Sequence, residues 1–285
     1  MIGPPGPDQP QAIVGLIRFS LVLESGNFFP LLTELSLDAY SAHIFDDARM
    51  ALRLAIFEEA CLPALAAQAD QGFHAVLMAS RLMPARWRDR VEAAVAGVPN
   101  VHFRVFRAEA NIGRVYRRSA FEFLDGAAPM TATFRLDDDD VLGPGFVGTL
   151  RRYLRPELAG HAVTFVPGRE LLLTGEALAV KTDTRPKASA GLAAIQAGPL
   201  ERVKAVRPVY SIGSHRQIDR HAPLIVHDGA PLWLQTAHGH NVSERTGGRN
   251  METGTPAEIA ARLTPDFPTL DATRLTRLHA LCREG

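Results

Sequence analysis

Four consecutive carboxylates in FRLDDDDVLGPGF, residues 134–146, decide how this sequence is interpreted. They directly follow an apolar run, at the predicted end of a strand. Adjacent carboxylates repel one another, and near an apolar core each one raises the cost of ionising its neighbour. The arrangement therefore requires either open solvent, as in a solvated acidic turn, or a cation.

The residues around the aspartates predict an α/β domain. Apolar strands alternate with amphipathic helices through the first half of the chain, as in a parallel sheet covered on both faces. The predicted strands are 12–23, 73–80, 101–107 and 130–136, and the predicted helices are 46–69 (kinked or divided at Pro63), 84–97 and 111–126. The aspartates then lie at the carboxyl end of the fourth strand, where open parallel sheets bind ligands.

The second half has a less regular pattern. It predicts a hairpin around Thr174-Gly175 and a basic, loop-rich flap over residues 183–205. Short strands are expected in 207–215 and 222–245, and a capping box at Thr255–Glu258 starts a late helix. Asp271 is expected to cap the last helix. We divide the chain into a flexible tail at 1–11, one domain at 12–250 and a helical extension at 251–285 that packs on the domain.

Composition excludes several classes of protein. Lys+Arg and Asp+Glu are both 31 in 285 residues, so nothing in the net charge indicates a nucleic-acid partner. The apolar run at 12–23 is too short to span a bilayer and contains Arg18. Two distant cysteines outside any metal or redox motif suit a reducing compartment. We expect a soluble cytoplasmic protein, in which the Leu- and Arg-containing last helix packs on the domain or contacts a membrane surface.

The aspartates favour a divalent cation. Asp137 and Asp139 are two residues apart and would point to one side if the strand geometry continued, whereas Asp138 and Asp140 would point to the other. Converging carboxylates are the ligands that Mg²⁺ or Mn²⁺ requires. These residues predict an Asp-x-Asp metal site.

A second group of polar residues lies in WLQTAHGHNVSER, residues 233–245. His238, His240, Asn241 and Ser243 offer metal ligands and hydrogen bonds within a few positions. Histidines at this spacing also line surface strands, so the motif alone is a weak metal signal. Combined with the distant aspartates, one imidazole would complete a carboxylate-based metal site.

Five ordered segments resemble a known family. They are the opening strand with RFSL, FEEACLPALAAQADQGFHAVLM, FRLDDDDVLGPGF, VYSIGSH and WLQTAHGHNVSER. Together they resemble the bacterial putative rhamnosyltransferase family, which implies a GT-A-like single domain with a mostly parallel central sheet covered by helices. The resemblance further implies metal-dependent transfer of a sugar from a nucleoside-diphosphate donor to a glycan or other hydroxyl acceptor. In that comparison Asp137 and Asp139 form the Asp-x-Asp motif, and His238 is the downstream histidine.

These expectations assign a role to each candidate residue. The metal ligands are Asp137, Asp139 and His238, and Asp228 is the candidate base for the acceptor hydroxyl. The residues expected to contact the donor are Arg18, Asn111, Arg114, Arg135, Asp137, Asp138, Asp140, Asn241 and Ser243. Two other functions stay open at this point: a metal-dependent phosphohydrolase, and an inactive GT-A-like domain that only binds glycans or proteins.

Overall fold

A computed structural model describes residues 11–24, 35–174, 176–238 and 250–284. Within these residues the strands form two sheets, one of seven strands in the order β10-β6-β9-β4-β1-β2-β3 and one of five in the order β12-β8-β7-β11-β5. The strands are β1 Gln11–Arg18, β2 His74–Ser80, β3 Val101–Phe106, β4 Met130–Asp137, β5 Asp140–Leu142, β6 Ala162–Val166, β7 Gly168–Leu172, β8 Leu178–Asp183, β9 Ala193–Ala197, β10 Leu224–Asp228, β11 Trp233–Ala237 and β12 Glu252–Gly254.

The helices pack against both sheets. They are α1 Leu37–Ile44, α2 Asp47–Ile56, α3 Leu62–Ala66, α4 Ala85–Val95, α5 Ile112–Phe121, α6 Phe146–Arg151, α7 Pro256–Leu263 and α8 Ala272–Glu284. No helix in the described ranges combines the length and the apolar character needed to span a membrane.

The predicted α/β class and its mostly parallel central sheet are confirmed. Strand β1 pairs in parallel with β2 and β4, β2 pairs in parallel with β3, and β6 pairs in parallel with β10. Strand β9 runs antiparallel to both β4 and β6. The predicted hairpin is present as the antiparallel pair β7 and β8. The capping box at Thr255 and Glu258 is also confirmed, and Asp271 accepts a hydrogen bond from the Arg274 amide at 2.9 Å, as its predicted capping role requires.

Two assignments in the second half are wrong. Residues 193–197 of the predicted flap form β9, a strand inside the central sheet, because its alanines fit between two neighbouring strands. The stretch 207–215 contains no strand: Val209–Ser211 and the start of His215–Arg220 are 3₁₀ turns. The region 251–285 begins with β12, which pairs with β8, before its helices start.

The predicted helix 46–69 is divided just before Pro63. Between α2 and α3 the chain widens into a π-helical segment, Phe57–Cys61. Pro63 has no amide hydrogen, and its ring would clash with the carbonyl four residues earlier in a regular α-helix. Pro63 lies in the first turn of α3, directly after the π-helical segment, where the widened turn accommodates its ring.

Strand β1 is buried on both faces, as its nearly continuous apolar sequence predicts. Ile13 and Ile17 pack into the core under α2, α4 and α6, whereas Val14 and Leu16 pack under α5. A third apolar cluster joins the second sheet to α2, α7 and α8. Strand β4 ends at Asp137 and β5 begins at Asp140, so the aspartates form the connection between the two sheets.

Gly15 tests the close packing of this core. A Cβ atom at Gly15 would overlap the ring of Phe134, whereas a Cβ at the exposed Gly97 would meet nothing within 4 Å. We expect Gly15→Ala to lower the free energy of unfolding by about 1–3 kcal/mol, as overpacking commonly does. Gly97→Ala should raise it by up to about 1 kcal/mol. Urea unfolding of both variants measures this, and equal stabilities would contradict the described packing.

Candidate functional site

The aspartate turn is buried, which excludes the solvated-turn interpretation. Asp138, Asp139 and Asp140 are exposed by only 1%, 6% and 3%. The turn lies at the carboxyl end of β4, next to the end of β1 and opposite the end of β11. Buried carboxylates at such close spacing require compensating positive charge.

The nearest compensating charge is an arginine of the protein. Arg53, on α2, approaches Asp138 with two nitrogens: Nη2 contacts Oδ1, and Nε lies 3.2 Å from Oδ2. Its Nη1 also lies 3.5 Å from Asp139 Oδ2. The Arg53 side chain is only 10% exposed, so water screens these interactions weakly. This planar, two-nitrogen contact fixes the Asp138 carboxylate and leaves Asp139 at the edge of the pair.

Strand pairing brings a histidine to Asp139. Strands β11 and β5 are antiparallel, with Gln235 opposite Asp140. This register places Thr236 beside Asp139, and the Thr236 hydroxyl donates to the Asp139 carbonyl at 2.7 Å. His238 Nε2 then lies 3.1 Å from Asp139 Oδ2, across 99 positions of sequence. The structure thus brings together two of the three predicted metal ligands.

The third predicted ligand has a different partner. Asp137 Oδ1 accepts a hydrogen bond from Arg18 Nη2 at 2.8 Å, and their side chains are 27% and 22% exposed. The condition under which Asp137 and Asp139 would point to one side, that strand geometry continues through the aspartates, is not met. Strand β4 ends at Asp137 and the next two residues form a turn, so the alternation of sides stops there.

Burial and the neighbouring side chains decide which of these carboxylates ionise readily. Burial raises the pKa of Asp138, although Arg53 acts against this. Burial also opposes ionisation of Asp139, but Arg53 and His238 outweigh it and lower the pKa. Burial has the same effect on Asp137, where Arg18 and Arg135 outweigh it and hold the pKa well below its ordinary value. Asp137 and Asp139 are therefore carboxylates at neutral pH.

Asp140 belongs to a second polar network, on the side of β11. Gln235 Nε2 lies 3.4 Å from Asp140 Oδ2 and 3.0 Å from the Ser189 hydroxyl. Gln235 Oε1 accepts from Arg185 Nη2 at 3.2 Å, and Arg185 also pairs with the buried Asp183. The start of the predicted flap is therefore tied to the aspartate turn through side chains.

The other predicted donor contacts are more dispersed. Arg135 lies on β4 with its guanidinium 4.7 Å from the ring centre of Tyr210. Asn111 caps α5, accepting from the Arg114 amide at 3.1 Å, and both side chains lie at the exposed start of that helix. Asn241 and Ser243 lie outside the described residues.

The candidate base lies at the same carboxyl-terminal edge of the central sheet as the aspartate turn, but on the outermost strand. Asp228 is exposed at the carboxyl end of β10, the edge strand. Three strand spacings separate β10 from β4, which is roughly 14 Å. The structure therefore does not place Asp228 in contact with the aspartate turn.

Arg53 is the functional residue that the sequence analysis missed. It follows Met50 by three positions and precedes Phe57 by four, so it lies on the buried face of its helix. Arg49 lies one turn earlier, also buried, and donates to the Ile44 carbonyl at 2.7 Å. Two arginines at a spacing of four within an apolar stripe were the available signal, because a buried guanidinium requires a buried acid.

Some of these residues fit a divalent cation. Neighbouring ligands around an octahedral Mg²⁺ are roughly 3 Å apart, because each metal–oxygen distance is about 2.1 Å. Asp139 Oδ2 and His238 Nε2 have this separation, and carboxylate with imidazole is a ligand pair that Mn²⁺ accepts. The described part of the chain holds no group of three or more His, Cys, Asp or Glu side chains arranged for a metal. The remaining ligands would have to come from a substrate or water.

The sheet order and the carboxylate turn define the class of this protein. A mostly parallel sheet with acidic residues at the carboxyl end of a central strand is the GT-A-like arrangement of glycosyltransferases, as the resemblance predicted. The chain belongs to the family described as "Putative rhamnosyl transferase", whose model matches residues 12–250. The predicted family is thereby confirmed. No functionally curated protein matches the sequence.

Several solved structures are similar at low identity. One is Staphylococcus aureus TarS, residues 1–349, in complex with UDP, with 11% identity, 94% of this chain and 69% of that chain covered, and a TM-score of 0.41. Another is the mannosyltransferase PcManGT from Pyrobaculum calidifontis in complex with GDP-Man and Mn²⁺, with 12% identity, 58% and 38% covered, and a TM-score of 0.34. The inositol-1-phosphate CTP transferase from T. maritima has 13% identity, 80% and 90% covered, and a TM-score of 0.29.

Replacing Arg53 tests whether it neutralises the turn. We expect Arg53→Met to lower the free energy of unfolding by about 3–5 kcal/mol, because it leaves the Asp138 charge buried and unpaired. The surface arginine Arg104, which pairs with Glu122, gives a matched control: Arg104→Met should cost less than about 1 kcal/mol. Urea unfolding in EDTA measures both values. An Arg53→Met protein as stable as the parent would show that the turn is neutralised by other means.

Proposed function

We propose that this chain is a metal-dependent glycosyltransferase that moves a sugar from a nucleoside diphosphate to a hydroxyl group of a glycan or other acceptor. Rhamnose is the sugar that the family name suggests. The observation that carries the proposal is the approach of His238 to Asp139, next to Asp138, whose charge Arg53 offsets. Family membership supports the reaction class, and the site supports the requirement for a metal.

Asp139 and His238 would hold the divalent ion. When bound, Mn²⁺ or Mg²⁺ supplies positive charge to the diphosphate, the group on which negative charge grows as the sugar leaves. The protein positions Asp139 before substrate arrives. Thr236 holds the backbone of Asp139, and Arg53 holds Asp138 next to it. Such positioning reduces the reorganisation needed during the reaction.

Residues on the other side of the turn would bind the donor. Asp137 and Arg18 are partly exposed and form an ion pair at the carboxyl ends of two adjacent central strands. The Asp137 carboxylate is suited to accept hydrogen bonds from ribose or sugar hydroxyls, and it can also reach the metal through a water molecule. Asp140, held by Gln235, is the candidate contact for the donor sugar.

Proton removal from the acceptor requires a base if the anomeric configuration is inverted. Asp228 lies on the same sheet edge as the turn and is open to solvent. An ionised carboxylate in this position would accept the hydroxyl proton as the acceptor attacks. Asp228 and the aspartate turn are roughly 14 Å apart. The acceptor would therefore have to bind between the ends of β4 and β10.

The activity is tested by nucleoside-diphosphate release. The protein is incubated with a panel of nucleoside-diphosphate sugars, including a rhamnose donor, with candidate glycan acceptors and with Mn²⁺, Mg²⁺ or EDTA. A transferase releases the diphosphate faster when both metal and acceptor are present, and the acceptor gains the mass of one sugar. Equal release without acceptor, accompanied by free phosphate, would indicate a phosphohydrolase. No metal-dependent binding or turnover of any donor would indicate an inactive binding domain.

The two proposed ligands make a sharper prediction. Asp139→Asn and His238→Ala should each weaken Mn²⁺-dependent binding of a nucleoside diphosphate by about 10- to 100-fold. Asp139→Asn should have the larger effect, because it removes a charge as well as a ligand. His240→Ala is the control from the same segment and should bind almost normally. Calorimetric titration of Mn²⁺ at fixed diphosphate measures all three variants.

The control also identifies a mistaken assignment. If His240→Ala loses the metal and His238→Ala keeps it, the histidine ligand is displaced by two residues. If both histidine variants bind Mn²⁺ like the parent, no histidine belongs to the site.

A further inference from the structure

Arg135 is a buried cation without a matching acid. Arg135 is only 9% exposed, and its guanidinium carbon lies 4.7 Å from the ring centre of Tyr210. Among the residues that the structure describes, no carboxylate lies within ion-pair distance of it, and its Nε has no hydrogen-bond partner. By contrast Arg53, equally buried, is paired with two aspartates.

A second arginine extends the same positive region. Arg18 lies on β1, next to β4, and its guanidinium is 5.1 Å from the Tyr210 ring centre. One Arg18 nitrogen donates to Asp137, whereas its buried Nε has no hydrogen-bond partner. Among the described residues Asp137 pairs with Arg18 and not with Arg135, which leaves the positive charge of Arg135 uncompensated within this group of residues.

Two tyrosines complete the group. Tyr116 and Tyr210 stack with ring centres 4.5 Å apart. Their hydroxyls are buried close to Arg18, yet neither forms a hydrogen bond of ordinary geometry within the described chain. The group thus offers two N–H donors and two O–H donors next to one another.

Leaving such a group unsatisfied is costly. Buried polar atoms in folded proteins nearly always have a partner, and a buried charge normally has a counter-charge. A water molecule can accept hydrogen bonds from these donors, but it does not balance the charge. An oxyanion does both, because its oxygens accept hydrogen bonds while its charge offsets the second guanidinium.

We propose that Arg135, Arg18, Tyr116 and Tyr210 form an oxyanion subsite that binds a phosphate or carboxylate group of a substrate. Arg18 and Asp137 are partly exposed and form the open side of the subsite, while Arg135 and Tyr116 form its buried side. The subsite adjoins the aspartate turn, so its role in sugar transfer rests on the function proposed above. The anion belongs either to the donor diphosphate or to an acidic group on the acceptor.

The binding test uses inorganic pyrophosphate and inorganic phosphate, without metal and without sugar. In EDTA, calorimetry of the full chain should show pyrophosphate binding that Arg135→Gln weakens by about 10- to 100-fold, the loss typical of one hydrogen bond to a charged group. Arg104→Gln is the matched control, because Arg104 also stacks on an aromatic ring, Phe123 at 5.3 Å, but is paired with Glu122. This control should bind like the parent.

A second variant guards against misfolding. Tyr210→Phe keeps the ring under both arginines and removes only the hydroxyl, so it should fold and still bind the anion several-fold more weakly. Thermal unfolding in phosphate against chloride provides an independent readout, because a bound ligand stabilises only the folded state. The parent should melt at a higher temperature in phosphate, and Arg135→Gln should show a smaller increase.

A competition experiment distinguishes the two sources of the anion. If saturating nucleoside diphosphate abolishes pyrophosphate binding and Arg135→Gln weakens both ligands, the subsite holds the donor diphosphate. If phosphate or glucuronate still binds to the diphosphate-saturated protein and loses affinity in Arg135→Gln, the subsite holds an acidic acceptor. Either result supports the subsite. The proposal is overturned if the parent binds no oxyanion, or if Arg135→Gln and Tyr210→Phe bind as the parent does. Because metal and sugar are absent from the binding test, its failure leaves the proposed transferase activity to be judged on its own.

Discussion

The ion pair between Arg53 and Asp138 is the interaction on which the site depends. Without it, mutual repulsion between adjacent buried carboxylates would destabilise the turn at the junction of the two sheets. The pair divides the aspartates by role. Asp138 makes the two-nitrogen contact with the arginine, Asp139 has only the longer contact with it and pairs with His238, and Asp137 pairs with Arg18. A charged helix residue thus prepares the site before any ligand binds.

The second sheet determines which distant residues reach this turn. The antiparallel register of β11 with β5 places Thr236 and His238 beside Asp139, and a shift by one residue would direct the opposite set of side chains to it. The fold therefore supplies a carboxylate and an imidazole on one side of the turn. On the other side it supplies Arg135, Arg18 and two tyrosines, a positively charged region next to Asp137. The Asp139–His238 side and the Arg135–Arg18 side together suit a substrate that carries negative charge at more than one point.

The sequence alone was sufficient to predict the regular part of the fold. It was also sufficient to single out two motifs, the aspartate turn and the histidine-containing segment. Strand β1 is a nearly continuous apolar run and β4 alternates apolar with polar residues, and both patterns are local features of the sequence. Strand β9 was missed because its small residues acquire strand structure only by pairing between β4 and β6. Arg53 was missed because a charged residue in a helix normally indicates a solvent-facing position. The partner that makes it tolerable in the core is 85 residues away.

An anomalous-scattering map of crystals grown with Mn²⁺ and a nucleoside diphosphate would test the central claim most directly. The claim is that Arg53 occupies Asp138 and so leaves Asp139, with His238, as the cation site. It predicts one strong manganese peak bonded to Asp139 and His238, with the Arg53–Asp138 contact intact. A peak bonded to Asp138 with Arg53 displaced, or diphosphate bound at the turn with no manganese, would contradict it.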